Sequence, residues 1–516
     1  MKQVTQIKSI EYSKTRTGIT TDRLWIVVVL GLTWFFISIL PLPPNDLWWH
    51  LAAGRIMINE GQLLTENRFA YTVPTDAPYI YQMWLSELIL YGSWRLGDVP
   101  ALTLLRTVVI VLSYGLVAWC AARRAGSGHA AALALLVAVL IGWNNWTLRP
   151  QTLMLLPAAA FVVLLVEYLD GRISTRWLFA LPVLQIIWVN GHGSFVLGIA
   201  LIGLAWLGLA YRTVIGQKTP LRQAFNTMLP FTLATGATVL AAFVNPLGVG
   251  IIGYLRGLFG TAELAANLEW QQPTTTIDFT NTGFWFFAML LGIAGLFAAG
   301  RKKPPLVEVL WYLALSWLAV GAVRHAMWYA LLLMPMFANQ IAGWLRTAAS
   351  QRLGRGPLML FGSLLGAIVI ATLPWLTPGT YLGSGTDRLF APAGPNHLLL
   401  SRTTPIMASE WLAQNPIEGR LWTDMTSSSY ISWRVPEKQI FADMRIELFP
   451  QSVWDEYYAI AEGGEQSLEL INTWQITHML LFHEQYEELD QLLAKQSNWC
   501  ERYRDSTTVI WTRCQP

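Results

Sequence analysis

The feature that most constrains this chain is a series of uncharged apolar runs close to 20 residues long. The first is Leu24–Leu42, and others lie near 102–122, 129–146, 151–169, 175–190, 194–214, 226–246, 282–300, 305–322, 326–345 and 357–376. About 20 apolar residues coiled as a helix span roughly 30 Å, the thickness of the hydrocarbon layer, and only structures that satisfy their own backbone can lie there. The runs therefore predict an α-helical polytopic membrane protein with about eleven spans. Composition agrees: 54% of the 516 residues are hydrophobic and 13% charged, whereas soluble domains are about one quarter charged. The net charge of +3 provides no polybasic face for nucleic acid.

Lys and Arg concentrate in cytoplasmic loops of membrane proteins, which orients the chain. Residues 1–23 are polar and carry Lys2, Lys8, Lys14, Arg16 and Arg23. With this tail in the cytoplasm, the inner loops hold Arg123 and Arg124, Arg172 and Arg176, Arg212 with Lys218 and Arg222, Arg301 to Lys303, and Arg346 with Arg352 and Arg355. The outer turns hold little beyond Arg149 and Arg324. The first span has Pro-Leu-Pro-Pro behind it instead of a small-residue cleavage site, so it is expected to remain as an anchor.

The spans then divide the chain into a cytoplasmic tail 1–23, a membrane domain 24–376 and a soluble extracytoplasmic domain 377–516. A long first outer loop, 43–100, is expected to carry a helix at Asp46–Glu60 and a second, interfacial helix at Tyr81–Leu96, which contains Glu87 and Arg95 and is rich in Trp and Tyr. In the tail domain, strands at Arg420–Thr423, Gln439–Ala442 and His478–Phe482 alternate with helices at Thr404–Gln414, Val453–Glu462 and Tyr486–Gln496, the pattern of a small α/β fold. Cys500 and Cys514 flank a hairpin centred near Thr507, so a disulfide between them fits an oxidising compartment.

Polar groups gather at the outer boundary: Asp46, His50, Arg149, Asn190, His192, Glu269, Arg324 and His325. Such residues at membrane depth commonly line a cavity or a substrate path. Two readings of Asp46 compete. It either accepts a proton from an incoming hydroxyl or caps the helix that begins there. Asp46 and His50 lie four apart on one helical face, so a divalent metal completed by His192 or His325 is a further reading, the only cofactor the sequence brings forward. Arg149 and Arg324 suit a lipid-linked phosphate or snorkel to headgroups. Asn190 and His192 sit in Trp-Val-Asn-Gly-His-Gly, where glycines allow either close backbone approach to a ligand or a tight turn. Glu269 reads as a site carboxylate or a surface pair. No Walker loop, dinucleotide fingerprint, His-Glu-x-x-His or Gly-x-Ser-x-Gly occurs, against an ATP-driven pump or a standard hydrolase.

Asp-Leu-Trp-Trp-His-Leu-Ala-Ala-Gly-Arg (46–55), Asn67-Arg-Phe-Ala-Tyr-Thr72 and Trp84-Leu-Ser-Glu87 resemble the first outer loop of bacterial membrane proteins related to the GT-C glycosyltransferases, of the protein O-mannosyltransferase and aminoarabinose-transferase type. Arg149-Pro-Gln151, Trp188-Val-Asn-Gly-His-Gly193, Asn245-Pro-Leu-Gly248, Glu269-Trp270 and Phe441-Ala-Asp-Met-Arg-Ile-Glu447 extend the resemblance along most of the chain. It implies an enzyme of the bacterial inner membrane that takes a sugar from a polyprenyl-phosphate donor and transfers it to a glycan, lipid or protein acceptor on the outer face. By position the base is Asp46, with His50 beside it, and Arg149, Asn190, His192, Glu269, Arg324 and His325 bind substrate. Where many relatives carry a second acidic residue after the third span, this chain reads Gly-Trp-Asn-Asn-Trp-Thr-Leu-Arg149. A non-catalytic transporter or scaffold for lipid-linked saccharides, and a polysaccharide polymerase or ligase, are the alternatives.

The charge pattern is tested by labelling intact cells with an impermeant thiol reagent. Lys218→Cys is expected to stay shielded and Ala461→Cys to react; the reverse would overturn the orientation.

Overall fold

The computed structural model describes residues 20–260, 268–300, 303–345, 351–375 and 399–514. The tail 1–19, Arg301, Lys302, Arg346 and the stretch 376–398, in which the expected start of the soluble domain falls, lie outside the described residues. The helices of the apolar part are α1 (Thr21–Ile39), α2 (Leu47–Glu60), α3 (Trp84–Ala125), α4 (Gly128–Gly142), α5 (Pro150–Leu153), α6 (Leu155–Leu169), α7 (Ala180–Gly191), α8 (Val196–Tyr211), α9 (Leu221–Ala241), α10 (Ile251–Gly260), α11 (Thr282–Ala299), α12 (Leu306–Gly321), α13 (Ala326–Ala342) and α14 (Arg355–Ala371).

Every apolar run of the sequence folds as helix, but not all at spanning length. Among the described residues, seven segments are long and apolar enough to cross a membrane: α1, α3, α4 with its final turn, α5 with α6, α8 with its flanking turns, α9 and α11. α12 and α14 are shorter apolar helices; α7 and α13 have 12 and 17 residues. α13 is the central helix, buried along nearly its whole length and packed against α3 and α4. The small residues Ala130, Ala134 and Ala138 line the buried side of α4, which lets helices approach where no hydrophobic effect drives them together.

At the end of α3 away from residue 84, the loop arginines meet acids at helix ends. Arg124 pairs with Glu308 at 2.5 Å and Asp170 at 3.3 Å, and Arg172 with Asp170 at 3.0 Å. At the other end, Arg106 reaches out of α3 to the last carbonyls of α1, donating to Ile37 O at 2.8 Å, to Leu40 O and to Pro41 O at 3.5 Å. It satisfies acceptors that a helix C-terminus leaves open. The prolines that follow cannot continue the helix, and the chain turns into α2.

Helix α3 is two helices joined at a break. Gly97 and Asp98 are non-helical, so Trp84–Leu96 forms a separate arm before the long span. The arm is stapled to the end of α7: Trp84 Nε1 donates to Asn190 Oδ1 at 2.8 Å, Ser86 Oγ to Gly191 O at 2.8 Å, and Gln82 Nε2 to Val189 O. α2 crosses the arm closely enough that a Cβ on Gly54 would lie 2.4 Å from the carbonyl oxygen of Glu87.

The C-terminal part is an α/β domain. Its strands β1 (Arg420–Thr423), β2 (Ile476–Phe482), β3 (Trp499–Arg504) and β4 (Thr508–Arg513) form one four-stranded sheet in the order β1-β2-β4-β3. β1 and β2 are parallel, joined through helices; the other pairs are antiparallel. Cys500 and Cys514 are bridged across the last hairpin. The expected strand at Gln439–Ala442 is not part of the regular ladder. Its Ile440 bridges Ala70 as well as Leu421, receiving a bond from Tyr71 N at 3.0 Å and donating to Phe69 O at 2.9 Å. The segment therefore ties the loop after α1 to the domain. Leu42 N donating to Leu399 O at 2.7 Å and Thr72 Oγ1 to Phe441 O at 2.6 Å add to the seam.

Gly54→Ala places a methyl against backbone that cannot give, and overpacking of this kind costs roughly 1–3 kcal/mol. Gly92→Ala, on the arm that Gly54 packs against and with nothing within 4 Å of the added carbon, is the control. Thermal unfolding is expected to show a lower midpoint for the first variant only.

Candidate active site

The seam between loop and domain closes over a cavity of about 270 Å³ at the ends of the helices, lined by Asp46, His50, Arg149, His192, Glu269, Arg324 and His325 among others. Seven of the eight residues singled out in the sequence thus face one space. Asn190 does not. Its amide donates to Ile186 O and Val244 O, both at 2.8 Å, and its oxygen receives Trp84 Nε1. These bonds make Asn190 the peg that holds the arm on α7.

Asp46 precedes α2 in helical conformation, and its side chain makes no capping bond; Asn45 Oδ1 receives Leu47 N at 3.3 Å instead. The carboxylate points to Arg149, with Oδ2 3.6 Å from Nη1. The opposite edge of the same guanidinium donates to Glu269 Oε1 at 2.8 Å and to Asn145 Oδ1 at 2.9 Å. Glu269, 120 residues later in the chain, thus shares this cation with Asp46.

This shared clamp splits the two carboxyls. Burial pushes Asp46 up to about 6, against the pull of Arg149 and with a contribution from Glu269. Burial also pushes Glu269 upward, but Arg149 and Arg324 pull harder and hold it below the usual range. The tighter contact goes to Glu269, so Asp46 is the more basic of the pair, poised near the operating pH of a proton acceptor. Asp46 keeps 22% of its side chain accessible, open to the cavity.

Arg324 stands apart. Its guanidinium lies over the Trp270 ring, 4.5 Å from the centroid, and its Nη2 stands 3.5 Å from Gln151 Oε1. It forms no ion pair among the described residues. Trp270 also meets His325 edge-on. Burial and Arg324 lower His325 to about 4, and burial with Arg324 and Arg149 keeps His192 neutral. His192 Nδ1 is taken by Ser194 at 2.9 Å.

The residues of the metal reading are directed to other partners. Asp46 is turned to Arg149, His50 Nδ1 to Glu87 Oε1 at 2.9 Å and His192 to Ser194, and no group of three His, Cys, Asp or Glu converges among the described residues.

Sequence reading passed over part of the cavity. Tyr79 donates to Glu447 Oε1 at 2.8 Å, and Arg445, Glu447, Trp270 and Tyr254 all line the space. Arg445 and Glu447 stood in the quoted Phe-Ala-Asp-Met-Arg-Ile-Glu segment without a role, because nothing local shows that the tail folds back over the first loop.

No protein-family model matches the chain, and no curated protein matches it in sequence. Solved structures do resemble it. ArnT from Cupriavidus metallidurans bound to undecaprenyl phosphate superposes with a TM-score of 0.52 at 15% identity, covering 95% of this chain and 97% of that one. The Archaeoglobus fulgidus oligosaccharyltransferase in complex with Zn and sulfate gives 0.51 at 12% identity, covering 95% and 73%. The apo state of ArnT gives 0.50 at 15% identity. The chain therefore shares the fold of these structures, a helical part with apolar helices of membrane-spanning length followed by an α/β domain.

Arg149→Gln removes the largest downward pull on Asp46. The Asp46 carboxyl, followed by pH titration of protein labelled with 13C-aspartate, is expected to move above about 6. A shift downward or no shift would show that the clamp does not govern it.

Proposed function

We propose that this chain is a membrane glycosyltransferase that moves a sugar from a polyprenyl-phosphate-linked donor to a hydroxyl-bearing acceptor inside the cavity. The observation that carries the reading is an Asp46 carboxylate that caps no backbone group and stays 22% accessible, in one cavity with an Arg324 guanidinium that forms no ion pair among the described residues. Asp46 accepts the acceptor proton, the oxygen attacks the anomeric carbon, and the bond to the phosphate oxygen breaks. Arg324 and the Trp270 face hold the departing phosphate, and preplaced donors stabilise charge as it develops. The folds of ArnT bound to undecaprenyl phosphate and of the oligosaccharyltransferase support this chemistry by analogy of fold. On this reading the chain sits in a bacterial inner membrane with residues 1–23 cytoplasmic, and the α/β domain of 377–516 is extracytoplasmic, covering the acceptor.

Asn at position 46 keeps shape and costs the helix nothing, since the carboxylate caps no backbone group. Asp46→Asn is therefore expected to fold normally and to lose transfer by roughly 10²–10⁴-fold, the range of general-base catalysis. Activity of an undecaprenyl-phosphate-linked monosaccharide panel with purified protein measures it; full activity in the variant removes Asp46 as base.

The pH profile carries a second expectation. A base that titrates at about 6 is ionised above that pH, so kcat/KM is expected to fall as pH drops through about 6. Arg324→Lys, which keeps the charge but loses the planar fork, is expected to raise the donor KM. A flat acid limb, or an unchanged donor KM, would count against these roles.

A further inference from the structure

Beside Asp46 lies a buried pair that the transfer step above leaves unused. Glu87, on the arm that begins α3, is 0% exposed and His50, one turn beyond Asp46 on α2, is 2% exposed, with His50 Nδ1 2.9 Å from Glu87 Oε1. Glu87 Oε2 is buried without any hydrogen-bond partner, and no Arg or Lys forms an ion pair with Glu87 among the described residues. Burial drives this carboxylate toward its neutral form, against the pull of Arg445, which makes no ion pair with it among the described residues. Neutral Glu87 makes the 2.9 Å contact by donating its O–H to Nδ1, which leaves the proton of the imidazole on Nε2. His50 lines the cavity, and its Nε2 makes no hydrogen bond to the described residues. The Trp49 ring lies 3.6 Å from the imidazole centroid, and the close crossing at Gly54 fixes the spacing of the two elements. The pair is therefore held rigidly, with one proton inside and one facing the cavity.

We propose that Glu87 and His50 form the general-acid arm of the site, with Glu87 fixing His50 as an Nε2–H donor to the anionic phosphate oxygen that leaves the sugar. This rests on the transferase reading above. As the anomeric carbon–oxygen bond breaks, its electron pair goes to the phosphate oxygen, which takes the Nε2 proton. Nδ1 takes the Glu87 proton at the same time, so the imidazole ends neutral and Glu87 ends ionised. The acceptor proton arrives on Asp46. One proton is gained at Asp46 and one lost at Glu87, so the charge of the protein does not change across the step. The return runs from Asp46 to Nε2 and from Nδ1 to Glu87, along one face of α2.

The surroundings explain why a pair is needed. Burial opposes a second proton on His50, and so do the charges of Arg149 and Arg445; Asp46 is the acidic group on the same helix face. The imidazole can pass a proton on only if another replaces it, and Glu87 is the group placed to do so.

The test uses full-length protein in lipid nanodiscs at pH 7. The infrared spectrum is expected to show a buried carboxylic-acid C=O stretch that Glu87→Gln removes, and 15N-histidine NMR, assigned with His50→Gln, is expected to show the Nε2–H tautomer. Absence of that band, or a protonated Nδ1, overturns the proposal. Undecaprenyl phosphate is the binding probe. His50→Gln is expected to weaken it at least about 10-fold, the scale of one hydrogen bond to a charged group, whereas Glu87→Gln, whose amide can still donate to Nδ1, keeps the affinity. Unchanged binding in His50→Gln also overturns the proposal. Failure of the wild-type protein to bind undecaprenyl phosphate, with the infrared band and tautomer intact, overturns the lipid-donor reading instead.

Discussion

The guanidinium of Arg445 joins the two halves of the molecule. It is 0% exposed, as is Asp443, to which Nη2 donates at 2.7 Å and Nε at 3.0 Å. Its remaining donors reach back to the first loop, to Asn67 Oδ1 at 3.1 Å and Tyr81 OH at 3.2 Å, and the Phe69 and Tyr79 rings lie against it. A buried ion pair gains nothing on balance unless its other polar atoms are also satisfied, and losing one partner costs about 3–5 kcal/mol. Here the satisfying groups come from a segment nearly 400 residues away in sequence. The same contact sets Tyr79, through Tyr79 sets Glu447, and so forms the wall of the cavity opposite the helix ends.

Inside that wall the charges are unequally matched. Arg149 serves two carboxylates at once, and the asymmetry of its contacts, 2.8 Å to Glu269 and 3.6 Å to Asp46, drives their affinities for a proton apart. Environments that separate two carboxyls in this way give them different chemical roles. Glu269 is spent on holding the clamp; Asp46 is left partly free. His192 and His325 stay neutral beside the arginines, so they act as hydrogen-bonding groups and add no charge.

How much of this was legible depends on the distance over which the cause acts. Apolar runs are local, and each proved helical, because hydrocarbon dictates about 20 residues and an internally bonded backbone. The short helices α7 and α13 show the limit: α13 is apolar because protein surrounds it, and hydropathy does not distinguish burial in protein from burial in lipid. Polar residues at the ends of runs could also be listed from the sequence, and most share the cavity. Their partners could not. The Glu87–His50 contact spans 37 residues and two crossing elements, and Arg149–Glu269 spans 120. The Asn190 amide, at a helix end, is chemically ambiguous in the sequence, and its bond to Trp84 spans 106 residues. Ile440, in the expected strand Gln439–Ala442, bridges Ala70 of the first loop as well as Leu421.

Arg324 completes the electrostatic argument. An aromatic face attracts a cation by about 0.5–2 kcal/mol, less than a hydrogen-bonded carboxylate provides in a site removed from water. Glu269, Asp46 and Glu447 are near enough to influence Arg324, yet Arg149 and Tyr79 hold two of them directly and Asp46 in part. The protein has thus kept a guanidinium in a largely enclosed space without the partner that would stabilise it most. Trp270 fixes its plane while leaving its donors uncommitted, and the 3.5 Å contact to Gln151 is too long to occupy them. An anion with two oxygens in one plane can take both donors of such a fork. The cost of enclosing a cation that forms no ion pair among the described residues becomes, on the proposed reading, affinity for the phosphate of the lipid carrier.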